Sequence, residues 1–134
     1  MNEQKINVCR ALASLFTTKE EISEHEAAFV GRTALDLGLD EGELKLVQQA
    51  LASDLDTKEL LQTITDEALR RFLFRRVVAA TLIDDELTDK EKAVVDQITS
   101  TFGWKADVAK EYLDHMQKFL EMERKGEEII ARLS

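Results

Sequence analysis

The chain has 134 residues, 44% of them hydrophobic and 34% charged, with a formal net charge of −9 at pH 7. That length suits one domain with a real core, and that composition suits a folded protein rather than a disordered one. A surface so acidic repels phosphate, which excludes nucleic acid as the main partner and favours cations or a basic protein surface.

In chain order the apolar spacing and capping signals predict seven helices. The first runs near 3–17, with Val8, Leu12, Leu15 and Phe16 inward. The second, 23–37, opens on a Ser23/Glu26 capping box and buries Phe29, Val30, Thr33 and Leu37. In such a box the cap side chain and the Glu each satisfy a free amide donor. The third, 41–52, opens on Asp40/Glu43 and presents Leu44, Val47 and Leu51. A short fourth, 57–63, opens on Asp56/Glu59 and offers Leu60, Leu61 and Ile64. The fifth, 66–83, carries Leu69, Phe72, Leu73, Val77, Val78 and Leu82, and as the most apolar is expected at the centre. The sixth, 89–102, opens on Thr88/Glu91 and presents Val94, Val95, Ile98 and Phe102. The seventh starts near 105 with Val108, Tyr112, Met116 and Phe119 inward. Gly38 and Gly103 follow apolar-periodic runs, where a positive backbone dihedral ends a helix cheaply. Gly126 is expected to break or kink the last helix, because glycine costs about 1 kcal/mol against alanine there. Beyond it, Ile129, Ile130 and Leu133 read either as a final turn docked back on the core or as an apolar handle for a partner. No segment alternates apolar and polar residues, so no strand is expected.

No apolar run approaches the roughly 20 residues that a membrane span requires. Charges from Glu3 onward leave no apolar signal core, and the lone Cys9 has no partner for an internal disulfide. The expected setting is cytoplasmic.

Lys19-Glu-Glu-Ile-Ser-Glu-His-Glu26 returns sixty-five positions later as Asp84-Asp-Glu-Leu-Thr-Asp-Lys-Glu91. The match continues through Phe29/Val94, Val30/Val95, Gly38/Gly103 and Leu39/Trp104. The chain therefore reads as a single all-α domain, 1–134, built from two copies of a three-helix unit. Repeat one spans about 3–52, a bridging helix about 56–64, repeat two about 66–118, and a C-terminal extension 119–134. Each copy exposes an apolar stripe that it cannot cover alone, so the two are expected to pack about a pseudo-twofold axis.

The segment from Val77 through Asp84-Asp-Glu-Leu-Thr-Asp-Lys-Glu91 to Phe102-Gly-Trp104 resembles the tellurite-resistance TerB-like family, as does the first copy through Glu21, Ser23, Glu26 and Leu37-Gly-Leu39. The likeness covers most of residues 5–118. It implies an all-helical fold with two pseudo-repeats, a role in metal stress, a divalent-metal site at the acidic loops, and service as an interaction module. In this pattern Asp84 takes the Asp position, Glu86 the first Glu, Thr88 the cap and Glu91 the helical Glu. The chain departs from the pattern at the loop glycine, which is Asp85 in one copy and Glu20 in the other. It departs again at the key Asp, which is Lys19 in the first copy.

The residues themselves give the same place prominence. Asp84, Asp85, Glu86, Asp89 and Glu91 put five carboxylates within eight positions, and hard cations want several oxygen ligands. The spacing is not an EF-hand, since Glu91 falls short of the twelfth loop position. A structural reading competes: Glu91 serves the capping box, and Asp89 favours the positive end of a helix dipole. The candidate metal ligands are thus Asp84, Asp85, Glu86 and Glu91, with Glu21 and Glu26 from the first copy. Calcium or magnesium fits better than zinc. If the axis brings the two loops together, Lys19 lies near Asp84, where its ammonium takes the place of a cation.

Arg70, Arg71, Arg75 and Arg76 are the basic concentration, and in so acidic a chain internal ion pairs are preferred to an anion site. His25 and His115 lack ligand-like spacing and read as surface residues, and Cys9 reads as a small core hydrophobe. No nucleophile–base set and no glycine-rich phosphate loop is present, so the expected function is non-enzymatic. The leading expectation is a stress-response module that binds other proteins, a second copy of the chain among them. The alternative is a purely structural adaptor with no metal site.

Overall fold

The computed structural model describes residues 2–16, 24–51, 56–81 and 89–134. Among them the fold is all-helical, with seven helices and no strand. These are α1 (Asn2–Phe16), α2 (Glu24–Asp36), α3 (Glu41–Leu51), α4 (Thr57–Thr63), α5 (Glu67–Thr81), α6 (Asp89–Phe102) and α7 (Ala106–Ala131). The chain falls into two compact units, 1–77 and 78–134.

The helix limits lie where local chemistry puts them. The Asp40/Glu43 box closes in both directions: the Glu43 amide donates to Asp40 Oδ1 at 2.8 Å and the Asp40 amide donates to Glu43 Oε1 at 3.0 Å. At α4 the Glu59 amide donates to Asp56 Oδ1 at 3.2 Å. The Ser23 and Thr88 caps lie outside the described residues. An unforeseen cap starts α5, where the Leu69 amide donates to Asp66 Oδ1 at 3.1 Å.

α2 and α6 end identically. Gly38 (φ 76°) and Gly103 (φ 69°) adopt the left-handed conformation. The Leu39 amide donates to the Ala34 carbonyl at 3.1 Å, and the Trp104 amide to the Thr99 carbonyl at 2.9 Å. Each glycine amide donates three residues back, Gly38 to Leu35 and Gly103 to Ser100. This paired pattern satisfies two of the carbonyls that a helix end leaves free.

Within the first unit α1 packs on α2, α3 and α4. Val8, Cys9, Ala11 and Leu12 have no exposed surface, and Ile6, Ala13 and Leu15 are also buried. Within this unit α1 is the helix that packs on three others. Its small residues Cys9, Ala11 and Ala13 let those neighbours approach from several sides, while Leu73, Phe74, Val77 and Val78 of α5 are buried as well. A polar seam adds direction. Asn7 Nδ2 donates to Thr63 Oγ1 at 3.0 Å, and the Ser14 and Thr57 hydroxyls bond one another. Gln4 Oε1 accepts from the Thr65 and Asp66 amides at 3.1 and 3.0 Å. Gln4, Asn7, Ala11 and Ser14 recur at intervals of three and four, so one stripe of α1 faces α4 and the turn after it.

In the second unit α6 and α7 pack together, burying Val95, Ile98, Thr99, Phe102, Ala109 and Leu113. The Phe102 and Trp104 rings lie 5.1 Å apart at the α6 end. Three expectations for α7 are corrected. The helix runs unbroken through Gly126 to Ala131, so residues 119–131 continue it instead of forming a separate turn. Ile129, Ile130 and Leu133 are exposed, not docked. Its inward stripe is also shifted by one position: Ala109 and Leu113 are buried while Val108 and Phe119 are exposed.

Candidate functional site

Lys19, Glu21, Asp84, Asp85 and Glu86 lie outside the described residues, and of Glu91 and His25 only the helical backbone is described. Asp89 is exposed at the start of α6, and Glu26 stands half-buried in the first turn of α2. Both occupy helix N-termini, where aligned amide dipoles favour negative charge. Among the described residues no three His, Cys, Asp or Glu side chains gather as a metal site. Each acidic segment precedes a helix, α2 or α6, that closes at its far end with the same glycine-centred pair of hydrogen bonds.

The arginine cluster resolves largely into internal contacts. Arg76 pairs with Asp36 at the end of α2. Its guanidinium also lies 5.8 Å from the Phe29 ring centroid and 5.2 Å from that of Phe72. Arg32 approaches the same Asp36 at 3.6 Å. Arg70 and Arg71 both reach Glu67 at 3.8 Å, and Arg70 Nε donates to the Ile64 carbonyl at 2.7 Å. A cation seated against two aromatic faces and a carboxylate ties α2 to α5. That is an architectural role, and it leaves only exposed Arg75 with no ion pair among the described residues. His115 is exposed and stacks on Tyr112, with centroids 6.4 Å apart. Cys9 is buried, and burial pushes its thiol up to about 12, so it is held as a neutral thiol without nucleophilic character.

A groove of about 810 Å³ opens between α6 and α7. Val95, Ala109 and Leu113 form its floor, and Lys92, Asp96, Lys110 and Asp114 mark its rim. The rim mixes both signs of charge, so it favours neither an anion nor a cation.

Among the described residues, most of the large apolar side chains left exposed lie on α7. Val108, Phe119, Met122, Ile129, Ile130 and Leu133 are all exposed. With Tyr112, His115 and Gly126, the stripe from Val108 to Leu133 steps by alternating fours and threes along the whole helix. Reading Val108, Tyr112, Met116 and Phe119 as one inward face merged two stripes. The sustained four-three spacing past Phe119 was the available signal that the outward one continues. No family model, no curated protein and no solved structure matches the chain significantly.

Proposed function

We propose that the protein is a non-enzymatic, TerB-like module of stress response that works by binding other proteins, with a divalent cation held at its acidic interhelix corners. Asp84, Asp85, Glu86 and Glu91 supply the oxygen ligands of one corner, with Glu21 and Glu26 at the other. Calcium or magnesium suits such all-carboxylate chemistry better than zinc. The observation that carries this reading is the identical closure of α2 and α6, at Gly38 and Gly103, sixty-five residues apart. That shared closure supports reading α2 and α6 as matching members of two copies, the arrangement that the TerB-like resemblance implies. Support for an interaction role comes from the large apolar side chains left exposed, Leu35 and Leu46 on α2 and α3 and the outer stripe on α7. A cation would offset repulsion among the clustered carboxylates, steady the helix junction and so change the surface offered to a partner.

A metal-free adaptor is the competing form, favoured by Lys19 standing where the second copy has Asp84. Thermal melts with calcium, magnesium, manganese and zinc separate the two. At a free concentration 100 times its dissociation constant, a metal that binds only the folded state adds about 2.7 kcal/mol. Asp84→Asn abolishes that gain and Arg75→Ala leaves it intact. Melts that do not move with any of the four ions rule out the cation and leave the adaptor.

A further inference from the structure

α7 is too long for its neighbour. At about 1.5 Å per residue its 26 residues extend ~39 Å, against ~21 Å for the 14 residues of α6. α6 therefore covers one stripe of the first half, through Ala109 and Leu113, and cannot reach the second half. The outer stripe is left open at Val108 and from Phe119 to Leu133, where its large aliphatic and Phe side chains are between 48% and 82% exposed, while Tyr112 is half-buried.

We propose that this stripe pairs with the same stripe of a second copy, the two α7 helices running parallel and in register as a two-stranded coiled coil. Three observations select that occupant. The first is period: four-three spacing sustained from Val108 to Leu133 is the seam that two helices share, whereas a helix seated on a sheet or in a broad groove needs a wider apolar face. The second is area. Six large side chains, each about half exposed or more, leave on the order of 100 Å² apiece, so two copies cover ~1,200 Å², the lower bound of a specific interface.

The third is charge. With the seam at Phe119, Met122, Gly126 and Ile129, the flanking positions are Lys118, Lys125 and Arg132 on one side and Glu123 and Ile130 on the other. In a parallel pair Lys118 of one copy meets Glu123 of the other, twice by symmetry, and Lys125 meets apolar Ile130, so no like charges face one another. A full-length antiparallel pair sets Lys118 of one copy against Lys125 of the other, also twice, which offsets its attraction between Glu111 and Arg132. An anionic lipid surface is disfavoured, since the polar face of the same segment carries Glu121, Glu127 and Glu128. The pairing goes beyond the cation reading and is independent of it.

Sedimentation equilibrium of the full chain across a concentration series, in the presence of a metal chelator, tests it apart from any metal effect. The expected result is a reversible shift from one chain mass to two. Ile129→Asp lies on an exposed position, so its far-UV circular dichroism and melt stay those of the parent while association weakens about a hundredfold or more. Lys118→Glu and Glu123→Lys each weaken association about tenfold, and the double swap restores it. A single-chain mass at every concentration overturns the proposal and assigns the stripe to a different occupant. So does a dimer indifferent to Ile129→Asp. A double swap as weak as its singles overturns the parallel arrangement.

Discussion

α1 and α7 are both amphipathic, and their circumstances are opposite. α1 is 15 residues long and buried on most of its circumference by α2, α3 and α4. α7 is 26 residues long, and Ala109 and Leu113 are its buried residues. Apolar content does not separate them, since α7 carries Phe, Met, Ile and Leu where α1 carries Cys and Ala at several buried points. What separates them is access. Small side chains let neighbours close on α1, and the polar seam of Gln4, Asn7 and Ser14 fixes which side α4 takes. The large side chains of α7 from Phe119 onward that stand exposed lie beyond the reach of α6. One helix thus carries stability and the other offers surface, and that division can be broken or sharpened by experiment.

The largest effect is expected from Leu12→Ala. Leu12 has no exposed surface, and the cavity left in so enclosed a site costs about 3 kcal/mol in denaturant unfolding. The matched change on α7, Phe119→Ser, stays within about 0.5 kcal/mol under conditions where the chain is monomeric. Equal losses at the two positions would erase the contrast.

A smaller effect tests the enclosure of α1 through pH. Burial of Cys9 raises its pKa from 9.0 to about 12, the neutral thiol being favoured in the folded state. The unfolded chain releases this proton first, so the stabilisation is intact below pH 9 and declines as pH rises from 9 towards 12. Unfolding free energies measured across that window should fall for the parent more steeply than for Cys9→Ala. Parallel profiles would mean that the thiol is reached by water, and α1 would be less enclosed than its burial indicates.

How much of this the sequence disclosed depends on whether the cause was local. Helix limits were legible because Asp40, Glu43, Asp56, Gly38 and Gly103 act on backbone groups within a few residues. The facing of α7 was not, because Val108, Tyr112 and Phe119 are the more apolar set and yet small Ala109 is what α6 can approach. The α1 seam was hidden for a related reason: Gln4, Asn7 and Ser14 look solvent-facing until their partners at 57–66 are known, and those partners are some forty to sixty residues away. The fate of the arginines was foreseen in kind, as internal pairing, but not the specific seat of Arg76 between Phe29, Phe72 and Asp36. The acidic segments were legible as a pattern of charge and remain that, since Glu21, Asp84, Asp85 and Glu86 lie outside the described residues.

Gly126 carries the smallest prediction and the closest test of how α7 stands apart. The sequence marks it as a break, yet the helix passes through it, with no atom within 4 Å of where a Cβ would sit. Alanine there meets no clash and recovers about 1 kcal/mol of helix propensity. If residues 119–131 form an arm that unfolds locally, that gain belongs to the arm and not to the core. Gly126→Ala should then slow amide hydrogen exchange at 119–131 by about fivefold while leaving the global unfolding midpoint where it was. A rise of the whole midpoint by the full amount would instead show the end of α7 melting with the core, and the division of labour between α1 and α7 would fail at its outermost point.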